Sequence, residues 1–176
     1  MTLYEHQNTS DGFDLWIRYN LFLAQTFTPS ESHKLQQVRV KGYRSSDAAG
    51  TVYCRIYATS AGVPVGSPLE SVEVDYSGWQ IWYSDAVWEQ IDLSGDLVLS
   101  AGTQYAIALE KPDGAGLLRW IYGVEADGGP YAGGALCTNS GYWTIGQPNG
   151  DAMFEEYGSA PGPSIPVILD MARMRR

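Results

Sequence analysis

The sequence predicts an all-β fold, an antiparallel β-sandwich of jelly-roll type, and three observations carry that prediction. Apolar residues recur at a period of two in one short run after another from Ala24 to Tyr157, which is the spacing of a half-buried strand face and not of a helix stripe. Turn residues break these runs every ten or so residues. No helical stretch of about 10 to 12 residues lies between them, so the alternating strand and helix pattern of a parallel sheet is absent. Finally, 20 Gly and 9 Pro supply tight turns, while 44% hydrophobic and 12% aromatic residues supply a core. A chain of 176 residues fits one domain that buries roughly 70% of its unfolded surface.

The elements follow in order. Residues 1–22 read as an N-terminal arm or lead-in strand, with Phe13, Leu15, Ile17 and Tyr19 alternating against Asp14, Trp16 and Arg18. The sandwich proper spans 23–159 and begins with AQTFTP. In KLQQVRVKGYR, Val38, Val40 and Gly42 face one way and Arg39, Lys41 and Tyr43 the other. After the SSDAAG turn, GTVYCRIYATS places Val52, Cys54 and Ile56 opposite Tyr53, Arg55 and Tyr57. LESVEVDY sets Leu69, Val72 and Val74 toward the core, with an irregularity between the first two. SGWQIWYSDAVWEQIDLS gathers Trp79, Trp82 and Trp88 before Ile91 and Leu93 turn inward.

LVLSAGTQYAIALEKP reads as a hairpin hinged at Ala101-Gly102, with Tyr105, Ile107 and Leu109 on its buried face. LLRWIYGVEA and GGALCTNSGYWTIG are two further strands around a Gly-rich turn or bulge, and DAMFEEYGS closes the sandwich. Residues 160–176 form a Pro-rich linker and an apolar-then-basic tail, which either frays, packs on itself or docks on a neighbouring subunit.

Composition narrows the function. A net charge of −9 argues against nucleic acid as the partner, because phosphate binding needs clustered Lys and Arg. Two cysteines rule out a disulfide framework, and the parity of Cys54 favours a buried free thiol over a bridge to Cys137. The first sixteen residues have no basic segment, continuous apolar stretch or small-residue cleavage site, so no secretory signal is expected. Nor does the chain contain a run of about 18 apolar residues, so membrane insertion is not expected.

Five phrases, in order, resemble one known family: AQTFTPSESHKLQQVRVKGYR, GTVYCRIYATSAGVPVGSPL, LSAGTQYAIALEKP, GGPYAGG and DAMFEEYGS. Together they look like a choice-of-anchor domain of the R type, across about Ala24 to Ser159. The resemblance implies a jelly-roll module of bacterial surface proteins or of phage and prophage particles, with no catalytic motif and no agreed ligand. The expected absence of a signal and a sorting anchor sets the sequence apart from the surface-protein pattern.

No catalytic constellation stands out. His6 and His33 are the only histidines, and no serine sits in a GxSxG elbow. Glu155 and Glu156 are adjacent, so on a strand they point to opposite faces and cannot flank one glycosidic bond. Asp75, Asp85, Glu89 and Asp92 surround the Trp-rich segment and read as solvated carboxylates; a structural calcium there lacks an Asp-x-Asp-x-Asp spacing. The Gly-rich stretch at 128–134 has no helix start to cradle phosphate.

Aromatics are the remaining signal. Indole and phenol faces stack on the C–H faces of sugars, so Trp79, Trp82, Trp120, Tyr122, Tyr131, Tyr142 and Trp143 are candidates for a glycan platform, set against packing roles in a core or interface. Trp120 and Tyr122 share a parity; Tyr142 and Trp143 do not. The expectation is a non-catalytic structural or host-attachment component of a phage or prophage particle, without cofactor or metal. It would be assembled in the host cytoplasm and partnered by copies of itself or other virion proteins. The alternative is a carbohydrate-binding or adhesive module on a bacterial surface, or secreted, engaging a cell-surface glycan.

Overall fold

Fourteen strands and no helix form among the described residues of the computed structural model, which are 1–9, 12–82, 84, 86–124, 131–147 and 149–162. They are β1 (Thr2–Gln7), β2 (Phe13–Ile17), β3 (Phe22–Phe27), β4 (His33–Arg44), β5 (Tyr53–Ser60), β6 (Val63–Glu73) and β7 (Val87–Asp92). There follow β8 (Val98–Leu99), β9 (Tyr105–Glu110), β10 (Leu118–Val124), β11 (Leu136–Asn139), β12 (Trp143–Gln147), β13 (Gly150–Ala152) and β14 (Phe154–Ser159).

Two antiparallel sheets pack as a sandwich. The eight-stranded sheet runs β1-β14-β4-β10-β13, with β2 on β10 and both β7 and β8 on β4; the six-stranded sheet runs β12-β11-β3-β9-β5-β6. The chain changes sheets repeatedly along its length, as a jelly roll does. Alternation explains the core: Leu23 and Phe27 of β3, Cys54 and Ile56 of β5 and Ile107 and Leu109 of β9 face Val38 and Val40 of β4, Leu118 and Trp120 of β10 and Phe154 of β14. Phe27 joins the sheets, its ring 6.2 Å from Tyr105 in its own sheet and 5.9 Å from Phe154 in the other. A polar clamp accompanies it. Gln25, fully buried on β3, donates from Nε2 to Asp151 Oδ1 at 2.7 Å and accepts the Ala152 N–H at 2.7 Å, bonding the smaller sheet to β13 of the larger.

The structure departs from the sequence reading in several places. The lead-in expected over 1–22 contributes two paired strands to the larger sheet, β1 on β14 and β2 on β10, and Phe22 already begins β3 of the smaller one. Alternation ends at Ile17 because the chain turns, with an Arg18–Leu21 bridge and Asn20 at φ 65°, and leaves Tyr19 exposed. The Ala101-Gly102 hinge does not join a hairpin. β8 pairs with β4 in the larger sheet and β9 with β3 and β5 in the smaller, so the chain arches between sheets there. Gly102, at φ 71°, makes that arch and donates its N–H to the Pro29 carbonyl at 2.8 Å. GGALCTNSGYWTIG holds two strands, β11 and β12.

Leu69 is 47% exposed: it falls in the register shift of the β5–β6 pair, where Ile56 faces Glu70 and Ala58 faces Val65, and regular pairing resumes only from Glu70 to Glu73. Cys54 and Cys137 are both free and buried, and burial pushes each thiol up to about 12. They cannot bridge. Cys54 faces the inter-sheet core, Cys137 faces the other side of the same sheet beside Ala24 and Ala108, and β3 and β9 lie between their strands. Of the linker and tail expected over 160–176, residues 163–176 lie outside the described residues, as do residues 128–130 of the Gly-rich stretch.

Replacing Phe27 should be costly. Phe27→Ala is expected to lower the unfolding free energy by about 3–5 kcal/mol, as urea titration would read it, whereas exposed Val98→Ala should change it by less than about 0.5 kcal/mol. Equal effects of the two would contradict this core.

Candidate functional site

The outer face of the eight-stranded sheet carries a row of aromatic and charged side chains. Directly opposed residues of antiparallel strands share a face. Arg119 of β10 stands opposite Trp16 of β2 and Tyr43 of β4, so the three form one row. The Arg119 guanidinium lies 4.8 Å from the Trp16 ring and 5.8 Å from that of Tyr43, and the Arg18 guanidinium is 5.5 Å from the same indole. Asp14, on the same face of β2, accepts a hydrogen bond from Arg119 Nη1 and another from the Tyr43 hydroxyl at 2.6 Å. Farther along, Arg39 lies 5.9 Å from the Trp88 ring and pairs with Glu155 at 2.9 Å, while Tyr157 donates to the same carboxylate at 2.7 Å.

At the end of the sheet the Trp16 row opens into a cleft of about 340 Å³, whose walls include Tyr43, Arg44, Ser46, Trp82 and Arg119. Its shape depends on Arg44 at the end of β4. The side chain donates from Nε to the Trp79 carbonyl at 3.2 Å, from Nη2 to that of Ser77 at 3.2 Å and from Nη1 to that of Ser45 at 3.4 Å. These bonds draw the segment after β6 over the sheet end, so that Trp79 inserts above Gly42 in the core and Trp82, three residues on, stays in solvent. Gly42 permits the insertion: a Cβ there would meet the Arg119 carbonyl oxygen at 2.5 Å and the Trp79 ring at 3.2 Å. Trp82 is 69% exposed and Trp16 43%, an unusual cost for indoles unless they have a partner. A flat apolar wall beside guanidinium donors and the Ser46 hydroxyl suits a ring with one apolar face and oxygen acceptors around it.

The aromatics expected to form one platform are dispersed. Trp120 is 1% exposed and donates its indole N–H to the Met153 carbonyl at 2.8 Å; Trp79 and Tyr122 are likewise in the core. The shared parity of Trp120 and Tyr122 is the inward parity, which excludes both from an exposed platform. Tyr131 packs edge-on against Phe154 at 5.2 Å and hydrogen-bonds Glu5, and Trp143 packs on Tyr57 at 6.3 Å over the smaller sheet, with Tyr142 exposed in the adjoining turn. Trp82 alone is in the cleft. Its companions Trp16, Tyr43 and Arg119 were missed, although alternation already set Trp16 on the polar side of its strand and Arg119 opposite in parity to its inward neighbours.

No family model matches the chain, and no curated protein matches it. The choice-of-anchor resemblance therefore rests on the five phrases that carry it.

The carboxylates near the Trp-rich segment serve locally. Asp75 is held low by the hydroxyl and N–H of Ser77, and Asp92 accepts from Gln37 at 2.8 Å and Gln90 at 2.9 Å. Burial raises Glu89, and Asp85 lies outside the described residues. Among the described residues, no three or more His, Cys, Asp or Glu side chains converge as a metal site.

The strongest titratable pair is internal. His33 and Glu156 are fully buried and hydrogen-bonded through Nε2, under the ring of Tyr4 stacked at 3.8 Å. His33 Nδ1 faces the Glu31 carbonyl at 2.8 Å, which only accepts, so Nδ1 bears a proton and Nε2 shares another with Glu156. Burial alone would lower His33, but the bonds to Glu156 and Glu31 outweigh it and raise it; burial raises Glu156 against the pull of His33. The folded chain thus holds protons that the unfolded chain has released. The stability this gives is complete below the ordinary histidine value of about 6.5 and is lost as pH rises through the raised one. Urea unfolding between pH 6 and pH 9 should accordingly show stability falling with pH, and the double variant His33→Gln/Glu156→Gln should flatten that fall; a wild-type profile that is flat or rising would contradict the assignment.

Proposed function

We propose that this chain is a non-catalytic recognition module that binds a glycan through the Trp16–Arg119–Tyr43 row and the Trp82 cleft. One observation carries the reading: on the outer face of a β-sandwich, the solvent-facing indole of Trp82 lines a cleft edged with guanidinium groups and the Ser46 hydroxyl, and a second exposed indole, Trp16, stacks on Arg119 of the same cleft. The non-catalytic part is supported by where the acid–base groups lie. His33 is sealed beneath Tyr4, and Glu155 and Glu156 face opposite sides of β14, one toward Arg39 and the other toward His33.

Its setting follows from the choice-of-anchor resemblance, which supports a host-attachment component of a phage or prophage particle, or an adhesive module of a bacterial surface. Both settings ask the same thing of the domain, namely that a rigid sheet face present a binding row outward.

Glycan-array screening followed by titration calorimetry tests the reading. Saturable binding is expected, weakened about tenfold by Trp82→Ala and by Trp16→Ala, a stacking contact's worth, and unchanged by Tyr142→Ala on the other sheet. Absence of saturable binding to any glycan, together with a stable oligomer in light scattering, would replace recognition by an assembly role.

A further inference from the structure

We infer that the glycan bound at this cleft is acidic, a sugar bearing a carboxylate, an inference that rests on the glycan reading above and specifies its ligand. Charge carries the argument. The chain has 20 acidic against 11 basic residues, yet three guanidiniums, Arg18, Arg44 and Arg119, border the row and the cleft. Among the described residues the one carboxylate bonded to any of them is Asp14, on Arg119 Nη1. Elsewhere among the described residues Arg39 pairs with Glu155 and Arg55 with Glu110, each one to one. Backbone carbonyls take three of the five N–H donors of Arg44, dipoles that fix its plane without cancelling its charge, and leave one N–H on each Nη for a ligand.

Arg44 thus stands between two unlike spaces. On its far side a larger cleft of about 610 Å³ is lined by Glu73 and Asp75, which repel an anion; on its near side is Trp82. A carboxylate is favoured only on the near side. There a planar guanidinium offers it paired N–H donors, while the sugar's apolar face lies on the indole and its hydroxyls meet Tyr43 and Ser46. A neutral sugar would use the indole and leave Arg18 and Arg44 without a hydrogen-bonded carboxylate.

The test compares matched ligands, so Arg44, which holds the Trp79 segment, need not be replaced. Calorimetry would measure tri-galacturonate against its carboxyl-reduced form, and 3′-sialyllactose against lactose, at low and high salt, with a single-stranded oligonucleotide as a polyanion without the acidic sugar. In at least one pair the acidic member should bind at least tenfold tighter than its neutral counterpart, and the gap should narrow as salt rises. The exposed substitution Arg18→Gln should weaken the acidic ligand about threefold more than it weakens the neutral one. Equal affinity within both pairs, or array hits confined to neutral sugars, would overturn the acidic ligand and leave the glycan reading standing. Tighter binding of the oligonucleotide than of any sugar, or no sugar binding at all, would overturn both.

Discussion

Strand β4 sets the alternation on which the larger sheet depends. Its twelve residues bond β14 and β10 along one edge and β7 and β8 along the other. Because side chains alternate along a strand, its register assigns inside and outside for every neighbour at once. Val38 and Val40 inward force Phe154 and Trp120 inward; Arg39 and Tyr43 outward force Glu155 and Arg119 outward. A slip of one residue would bury the guanidiniums and expose the core valines. The same strand ends in Arg44, whose backbone bonds fold the following loops over the sheet end. Core and cleft are therefore two consequences of one alternation.

The inward aromatic Trp79 and the outward aromatic Trp82 show how closely these are coupled. Three residues separate them, and the segment that seals the core is the one that presents the exposed indole. Gly42 is the permissive point, since any side chain there would collide with both the neighbouring strand and the Trp79 ring. The binding face is in this sense supported from within: the segment that leads to Trp82 is held by the core contact of Trp79 and by two charge-assisted bonds from Arg44, to Ser77 and Trp79.

Much of this architecture was legible in the sequence, and the limits have physical causes. Period-two alternation identifies a strand and tells which residues share a face, and it did so for Val38 and Arg39, Cys54 and Arg55, and Ile107 and Ala108. It carries no information on which strand is the partner, which is why the Ala101-Gly102 hinge read as a hairpin when it is an arch between sheets. Alternation also leaves open which face of an aromatic-rich strand is the inner one. Trp120 and Tyr122 look as fit for a platform as Trp16 does, and only the pairing of β10 with β2 and β4 separates them. Buried polar groups were least legible. Gln25, His33 and Glu156 are residue types that normally stay in water, and their burial depends on partners 123 to 127 positions away.

The placement of the two cysteines has a consequence beyond packing. Set on opposite faces of one sheet with two strands between them, and with thiols that burial keeps protonated, they can neither join each other nor be easily drawn into exchange. The covalent structure of the folded domain is therefore the same under reducing and oxidising conditions. A domain built in this way needs no disulfide to be formed after it folds, so its sheet face keeps one shape whatever the redox poise around it.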